Sequence, residues 1–229
     1  MSLADALQTK LNQGLLTMGL EVCDEKQAQL IAYLLLIVKW NKVHNLTAVR
    51  DPLEMVTLHL LDSMSVLKQV QSLAAKSLLD VGAGAGLPSI PLAICLPNLQ
   101  VTSIDSVQKK TSFMRQVKGE LGLSNFNVEA GRVEALKKSS FNQGAGFDLI
   151  ISRAFSELSL FVRLTKHLLA DGGQWLAMKG AVPKHEFENR DFQALCFKNG
   201  GIQIGSIEAL KVAGLNAERH LIYLNQSVL

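Results

Sequence analysis

The chain has 229 residues, 48% apolar and 19% charged, enough to bury a sizeable core and the wrong composition for a disordered chain or a coiled coil. Its net charge of +3 permits a nucleic-acid partner without demanding one. Cys23, Cys95 and Cys196 are odd in number, far apart and without a C-x-x-C pair, which argues against a disulfide framework or a thiolate zinc site and for a reducing, cytoplasmic setting.

Residues 1–16 carry an acid at Asp5 and no basic block before an apolar one, unlike a signal peptide. The most apolar run, 30–38, is broken by Tyr33 and is too short to span a bilayer, so no membrane partner is expected. Leu3, Leu7, Leu11 and Leu15 form one helical stripe, and Leu30, Leu34, Ile37 and Val38 form a second. A third helix is expected from Pro52, behind Asp51, to about Val70. Residues 1–71 therefore read as a helical extension packed on a core of 72–229, with net charge −1 over 1–70 and +4 over the rest.

From Lys76 short apolar runs alternate with helical patterns. Strands are expected at 77–81, 101–105, 126–130, 147–152, 173–179 and 219–224, with helices at 88–95, 107–122, 156–170 and 184–198. That alternation predicts an α/β architecture, a doubly wound, mostly parallel Rossmann-like sheet.

The strongest local signal is LLDVGAGAGLP, 78–88. An apolar strand runs through Asp80 into Gly82, Gly84 and Gly86, and Pro88 opens a helix. Such glycines let backbone approach a ligand, and the acid at Asp105, at the end of the next strand, is placed for ribose hydroxyls. The third glycine of G-x-G-x-x-G would fall at Leu87, and an acid precedes the first glycine. A carboxylate at Asp80 suits the ammonium and sulfonium of S-adenosylmethionine better than a pyrophosphate. The plainer reading of the glycines is a tight turn only.

DVGAGAGLPSIPLA, preceded by WNKVHNLTAVRD (40–51) and HLLDS (59–63) and followed by SRAF (152–155), resembles the glucose-inhibited division protein B family, the small-subunit ribosomal RNA methyltransferases G. The resemblance runs from about Leu30 to Leu224. It implies a class I S-adenosylmethionine-dependent methyltransferase acting on N7 of guanine 527 in 16S ribosomal RNA, with the RNA or the small ribosomal subunit as partner and no obligate protein partner evident. It also implies cofactor contacts from Gly82, Leu87, Val133, Glu134 and Arg153. Ala85 stands where relatives often have proline.

The residues themselves are compatible with that chemistry. The segment after the fourth strand is Ser152, Arg153, Ala154 and Phe155, without the Asn/Asp-Pro-Pro-aromatic element common in amine methylation. No cysteine lies there for carbon-5 methylation. Guanine N7 has a lone pair and no proton, so no catalytic base or nucleophile is expected; Arg153 and Phe155 are candidates for positioning substrate. Phe155 also suits the core, and Arg153 a surface ion pair. His59 and Asp62 lack partners for a metal and read as a brace beside the cofactor mouth, and Trp40 and His44 as packing. Lys109, Lys110, Arg115 and Arg132 are candidate RNA contacts, with Lys179 at the carboxyl edge of a later strand next in order. The alternatives are a methyltransferase of this fold with another RNA, protein or small-molecule substrate, and a non-catalytic ribosome-assembly factor.

Overall fold

Ser2 opens helix α1 (Leu3–Met18) with a reciprocal cap: Asp5 N donates to Ser2 Oγ at 3.2 Å and Ser2 N to Asp5 Oδ2 at 2.8 Å. The computed structural model describes residues 2–153, 155, 157–197 and 201–227. Ala154 of the 152–155 segment, and the expected helix ends at 156 and 198, lie outside them. Leu7, Leu11 and Leu15 are buried as the stripe requires, each contributing about 2 kcal/mol through removal from water; Leu3 is exposed at the helix start. Helix α2 (Asp24–His44) buries Leu30, Tyr33, Leu34 and Ile37.

The single helix expected from Pro52 to Val70 is instead a broken one. Asp51 caps α3 (Pro52–Met55), a π-helical segment follows at Val56–Leu61, then α4 (Asp62–Met64), a turn, and α5 (Leu67–Ser72). The π segment inserts an extra residue into the hydrogen-bonded turn, which shifts the helical phase, and His59, Leu60, Leu61, Asp62 and Ser63 are all buried. Gly14 of α1 lies against Leu61, where any Cβ would overlap that side chain.

The remainder builds one sheet: β1 (Ser77–Val81), β2 (Gln100–Asp105), β3 (Phe126–Ala130), β4 (Phe147–Ser152), β5 (Leu169–Lys179), β6 (Ile202–Ala209) and β7 (His220–Gln226). Its order is β3-β2-β1-β4-β5-β7-β6, with the first five strands parallel and β7 antiparallel to both neighbours. Helices α6 (Ser89–Cys95), α7 (Gln108–Leu121), α8 (Leu158–Thr165), α9 (Lys184–Glu188) and α10 (Arg190–Cys196) lie between strands. Successive strand residues face opposite layers. Leu78, Leu149, Ile151 and Leu176 pack with α1, α2, α6 and α7, whereas Leu79, Ile150, Trp175 and Ala177 pack with α8 and Phe192. The extension's leucines thus share a core with one face of the sheet.

Two expectations are corrected. β6 was not anticipated: its residues are mostly exposed and Gly205 interrupts the apolar alternation, as suits an edge strand. β5 begins at Leu169, not 173, and its pairing with β4 shifts register between Phe147 and Leu149.

Candidate active site

The sheet order reverses between β1 and β4, which is where open α/β sheets leave a crevice at their carboxyl edge. A cleft of about 420 Å³ occupies that edge, lined by Gly82 after β1, Asp105 and Val107 after β2, Arg132, Val133 and Glu134 after β3, and Phe155 after β4, with Lys110 at one side. Val81, Ile104 and Leu164 complete its apolar walls.

The glycine loop is held from within. Gly82 N and Ala83 N both donate to Ile104 O, Gly86 N and Leu87 N to Ala83 O, and Gly84 N to Asp105 Oδ2 at 2.9 Å. Gly84 has φ +61° and open space where a Cβ would stand, so glycine meets both the turn and the room beside it. From the opposite side the buried Tyr33 hydroxyl donates to Ala85 O at 2.7 Å. The loop amides of Gly82, Ala83, Gly84, Gly86 and Leu87 are thus committed to the protein itself rather than open to a pyrophosphate.

Asp80 closes the remaining anion site. Its Oδ2 accepts from Ser89 N at 3.3 Å, at the start of α6. It is fully buried, does not line the cleft, and leaves Oδ1 without a hydrogen bond among the described residues. Burial pushes its carboxyl up to about 7, with Ser89 and the Arg153 charge opposing. The expectation that Asp80 faces the cofactor ammonium is therefore corrected: it lies beneath the loop, because β1 ends only after Val81.

Of the other expected cofactor residues, Gly82, Asp105, Val133 and Glu134 line the cleft, while Gly84, Gly86, Leu87 and Arg153 do not. Leu87 is buried under the loop. Asp105 is held for a ligand, with Oδ1 accepting from Val107 N at 2.8 Å and Lys110 Nζ 3.7 Å from Oδ2. A cleft with apolar walls, one fixed carboxylate and no free phosphate cradle fits S-adenosylmethionine, which needs an adenine slot and a ribose acceptor and carries no phosphate.

A second cleft of about 410 Å³ lies on the other side of β4, lined by Val49, Leu58, His59, Asp62, Arg153, Met178, Lys179, Gly180 and Arg219. Asp62 is its centre. Its Oδ2 accepts from Arg153 Nη1 at 2.9 Å and its Oδ1 from Arg219 Nε at 2.7 Å. His59 Nε2 lies 3.0 Å from Thr47 Oγ1, and burial lowers its pKa, so the ring is neutral near pH 7. The sequence reading had His59 and Asp62 as a brace. It could not pair Asp62 with arginines 91 and 157 positions away.

The expected RNA contacts scatter. Lys109 and Arg115 are exposed on α7, and Arg132 is exposed at the rim of the first cleft. Lys110 turns toward Asp105 instead. Lys179 ends β5 and lines the second cleft, with its ammonium 2.8 Å from Glu186 Oε1 and 3.1 Å from Phe155 O. Phe155 is half-buried against Phe161, ring centroids 5.3 Å apart, with its exposed part in the first cleft. Trp40 packs on Phe113 and His44.

A family model described as rRNA small subunit methyltransferase G matches residues 26–222. The ribosomal RNA small subunit methyltransferase G of Methylobacillus flagellatus is 56% identical over 218 residues, covering 95% of this chain and 98% of the relative. That of Janthinobacterium sp. is 45% identical, covering 98% and 97%. Among solved structures, an O-methyltransferase from Bacillus cereus in complex with SAH superposes with a TM-score of 0.61 at 16% identity, covering 96% of this chain and all of that one. A putative O-methyltransferase from Klebsiella pneumoniae gives 0.60 at 15%, covering 99% and 100%. At such identities these two likenesses bear on the fold, that of a class I methyltransferase.

Proposed function

Because the chain belongs to the rRNA small subunit methyltransferase G family, we propose that it methylates N7 of guanine 527 of 16S ribosomal RNA, with S-adenosylmethionine as donor. The observation that carries this reading is the first cleft, whose fixed Asp105 stands beside a glycine loop with five of its amides committed to the protein. S-adenosylmethionine, when bound, supplies an electrophilic methyl group on a sulfonium. The chain's part is alignment, which provides much of the rate of an in-line displacement. Asp105 would accept the ribose hydroxyls, Val133 and Glu134 would address the adenine edge, and Gly82 lines the cleft beside them. Arg153, held on Asp62 and lining the second cleft, would meet the methionine carboxylate only through its remaining N–H groups. Phe155 covers the gap between cofactor and base. N7 attacks with its own lone pair, so no side chain needs to remove a proton.

Lys109, Arg115 and Arg132 form the face we assign to RNA phosphates. Recognition would rest on this surface and the folded shape of the RNA, in naked rRNA or the small subunit. We place the reaction in the cytoplasm; among the described residues no helix is long and apolar enough to cross a membrane. We treat 1–71 as an extension whose buried Asp62 and Tyr33 organise the core of 72–229.

The test is transfer of labelled methyl to 16S rRNA from cells lacking the protein, with borohydride–aniline cleavage mapping the product. A reverse-transcription stop at guanine 527 is expected. Labelling elsewhere, or none, overturns the reading.

A further inference from the structure

The second cleft holds two guanidiniums on one buried carboxylate. Asp62 is only 2% exposed, and one carboxylate cannot neutralise both Arg153 and Arg219. Arg153 uses Nη1 for Asp62 and Leu58 O, and Arg219 uses Nε for Asp62 and Nη1 for Glu218 O. The Nη2 groups of both arginines hold no hydrogen bond among the described residues. Lys179 is matched by Glu186, and His59 is neutral. The cleft therefore keeps one positive charge in excess and rigidly aimed N–H donors, a set that takes an acceptor-bearing edge.

Its place in the fold narrows the occupant. The segment after β4 lines both cavities, Arg153 facing this one and Phe155 the first. Arg153 and Phe155 are two residues apart, so a ring seated here is close along the chain to the wall of the first cleft. Guanine presents N7 beside the acceptor O6 on one edge, whereas adenine presents N7 beside an amino donor.

We propose that this second cleft seats the acceptor guanine, and that Arg219 donates to its O6 and so selects guanine over adenine. This rests on the methyl-transfer reading above. Of the two guanidiniums, Arg219 is the reader: its Nε is fixed on Asp62 at 2.7 Å and its Nη2 holds no hydrogen bond among the described residues. Asp62 is a positioning residue: it holds Arg219 Nε and fixes the plane of the guanidinium.

The experiment uses full-length protein and 16S rRNA rebuilt by splinted ligation with either guanine or 2-aminopurine at position 527. The analogue keeps N7 and lacks O6. Wild-type kcat/KM should fall about 10- to 100-fold on the analogue, the size of a lost hydrogen bond to a charged donor. Arg219→Ala should lose about as much on guanine and nothing further on the analogue, with cofactor affinity by calorimetry unchanged. Arg219→Lys keeps the charge beside Asp62 and should fall between, which guards against a folding defect in the alanine variant. An equal loss for Arg219→Ala on both substrates would mean that it grips a phosphate or only supports the fold, and overturns the proposal, as does full activity on guanine. A wild-type protein that labels neither RNA removes the methyl-transfer reading, and this one with it.

Discussion

Replacing Asp80 by asparagine should remove a pH dependence that the wild-type fold carries beneath its glycine loop. The carboxyl is fully buried, with one oxygen on Ser89 N and the other without a hydrogen bond among the described residues, and burial raises it from 3.8 to about 7. Between those values the folded state holds a proton that the unfolded chain has released, so stability falls as pH rises across that window and is level on either side. A shift of about 3 units at 1.36 kcal/mol each sets an upper limit of about 4 kcal/mol for the total loss by pH 8. Asparagine cannot ionise and can still accept from Ser89 N. By the same arithmetic the variant should lead by about 1.6 kcal/mol at pH 5, where the unfolded carboxyl is already ionised, and by up to about 4 kcal/mol at pH 8. His59, whose lowered pKa costs stability as pH falls, is shared by both proteins and cancels in the difference. Urea unfolding at several pH values, at constant ionic strength, measures that difference directly. A constant offset from pH 5 to pH 8 would refute the reasoning, since it would mean that Asp80 is ionised throughout the range.

Asp105→Ala should weaken S-adenosylmethionine binding by roughly 1.5–3 kcal/mol, the range for hydrogen bonds to a charged group; calorimetry giving unchanged affinity removes Asp105 from the site. Tyr33→Phe leaves the Ala85 carbonyl without its buried donor and should cost about 1–3 kcal/mol of unfolding free energy; a loss well below that would mean the hydroxyl is not what pins the loop. Replacing both Lys109 and Arg115 by Gln should reduce the slope of log K against log salt for RNA binding by about one to two, with cofactor affinity untouched. An unaltered slope would make that side of α7 a solvated face only.

Local pattern was enough for much of this molecule. Six of the seven strands, the helices after β1 and β2, the glycine loop and Asp105 follow from apolar runs of strand length, helical spacing and turn residues. The helix expected at 184–198, by contrast, is broken at Asn189, and that expected to 170 ends at Thr165. The resemblance of 40–51, 59–63, 80–93 and 152–155 to one family carried the reaction. Where local pattern was faint it failed. β6 is an exposed edge with little apolar alternation, and the helix from Pro52 contains a π segment whose altered phase depends on what α1 and the sheet press against it.

Tertiary structure decided which charges are tools and which are supports. Asp80 and Asp105 end adjacent strands of similar sequence, yet one lies sealed under the loop and the other opens on the cleft, because β1 is central and its last residues are covered by α6. Lys179 lines the second cleft at the edge that ligands use, but its ammonium is held by Glu186. Asp62, Arg153 and Arg219 come from the helical extension, the end of β4 and the start of β7, and nothing local links them. Burial sets their partnership: a carboxylate removed from water must find cations, and only the folded chain brings Arg153 and Arg219 within reach.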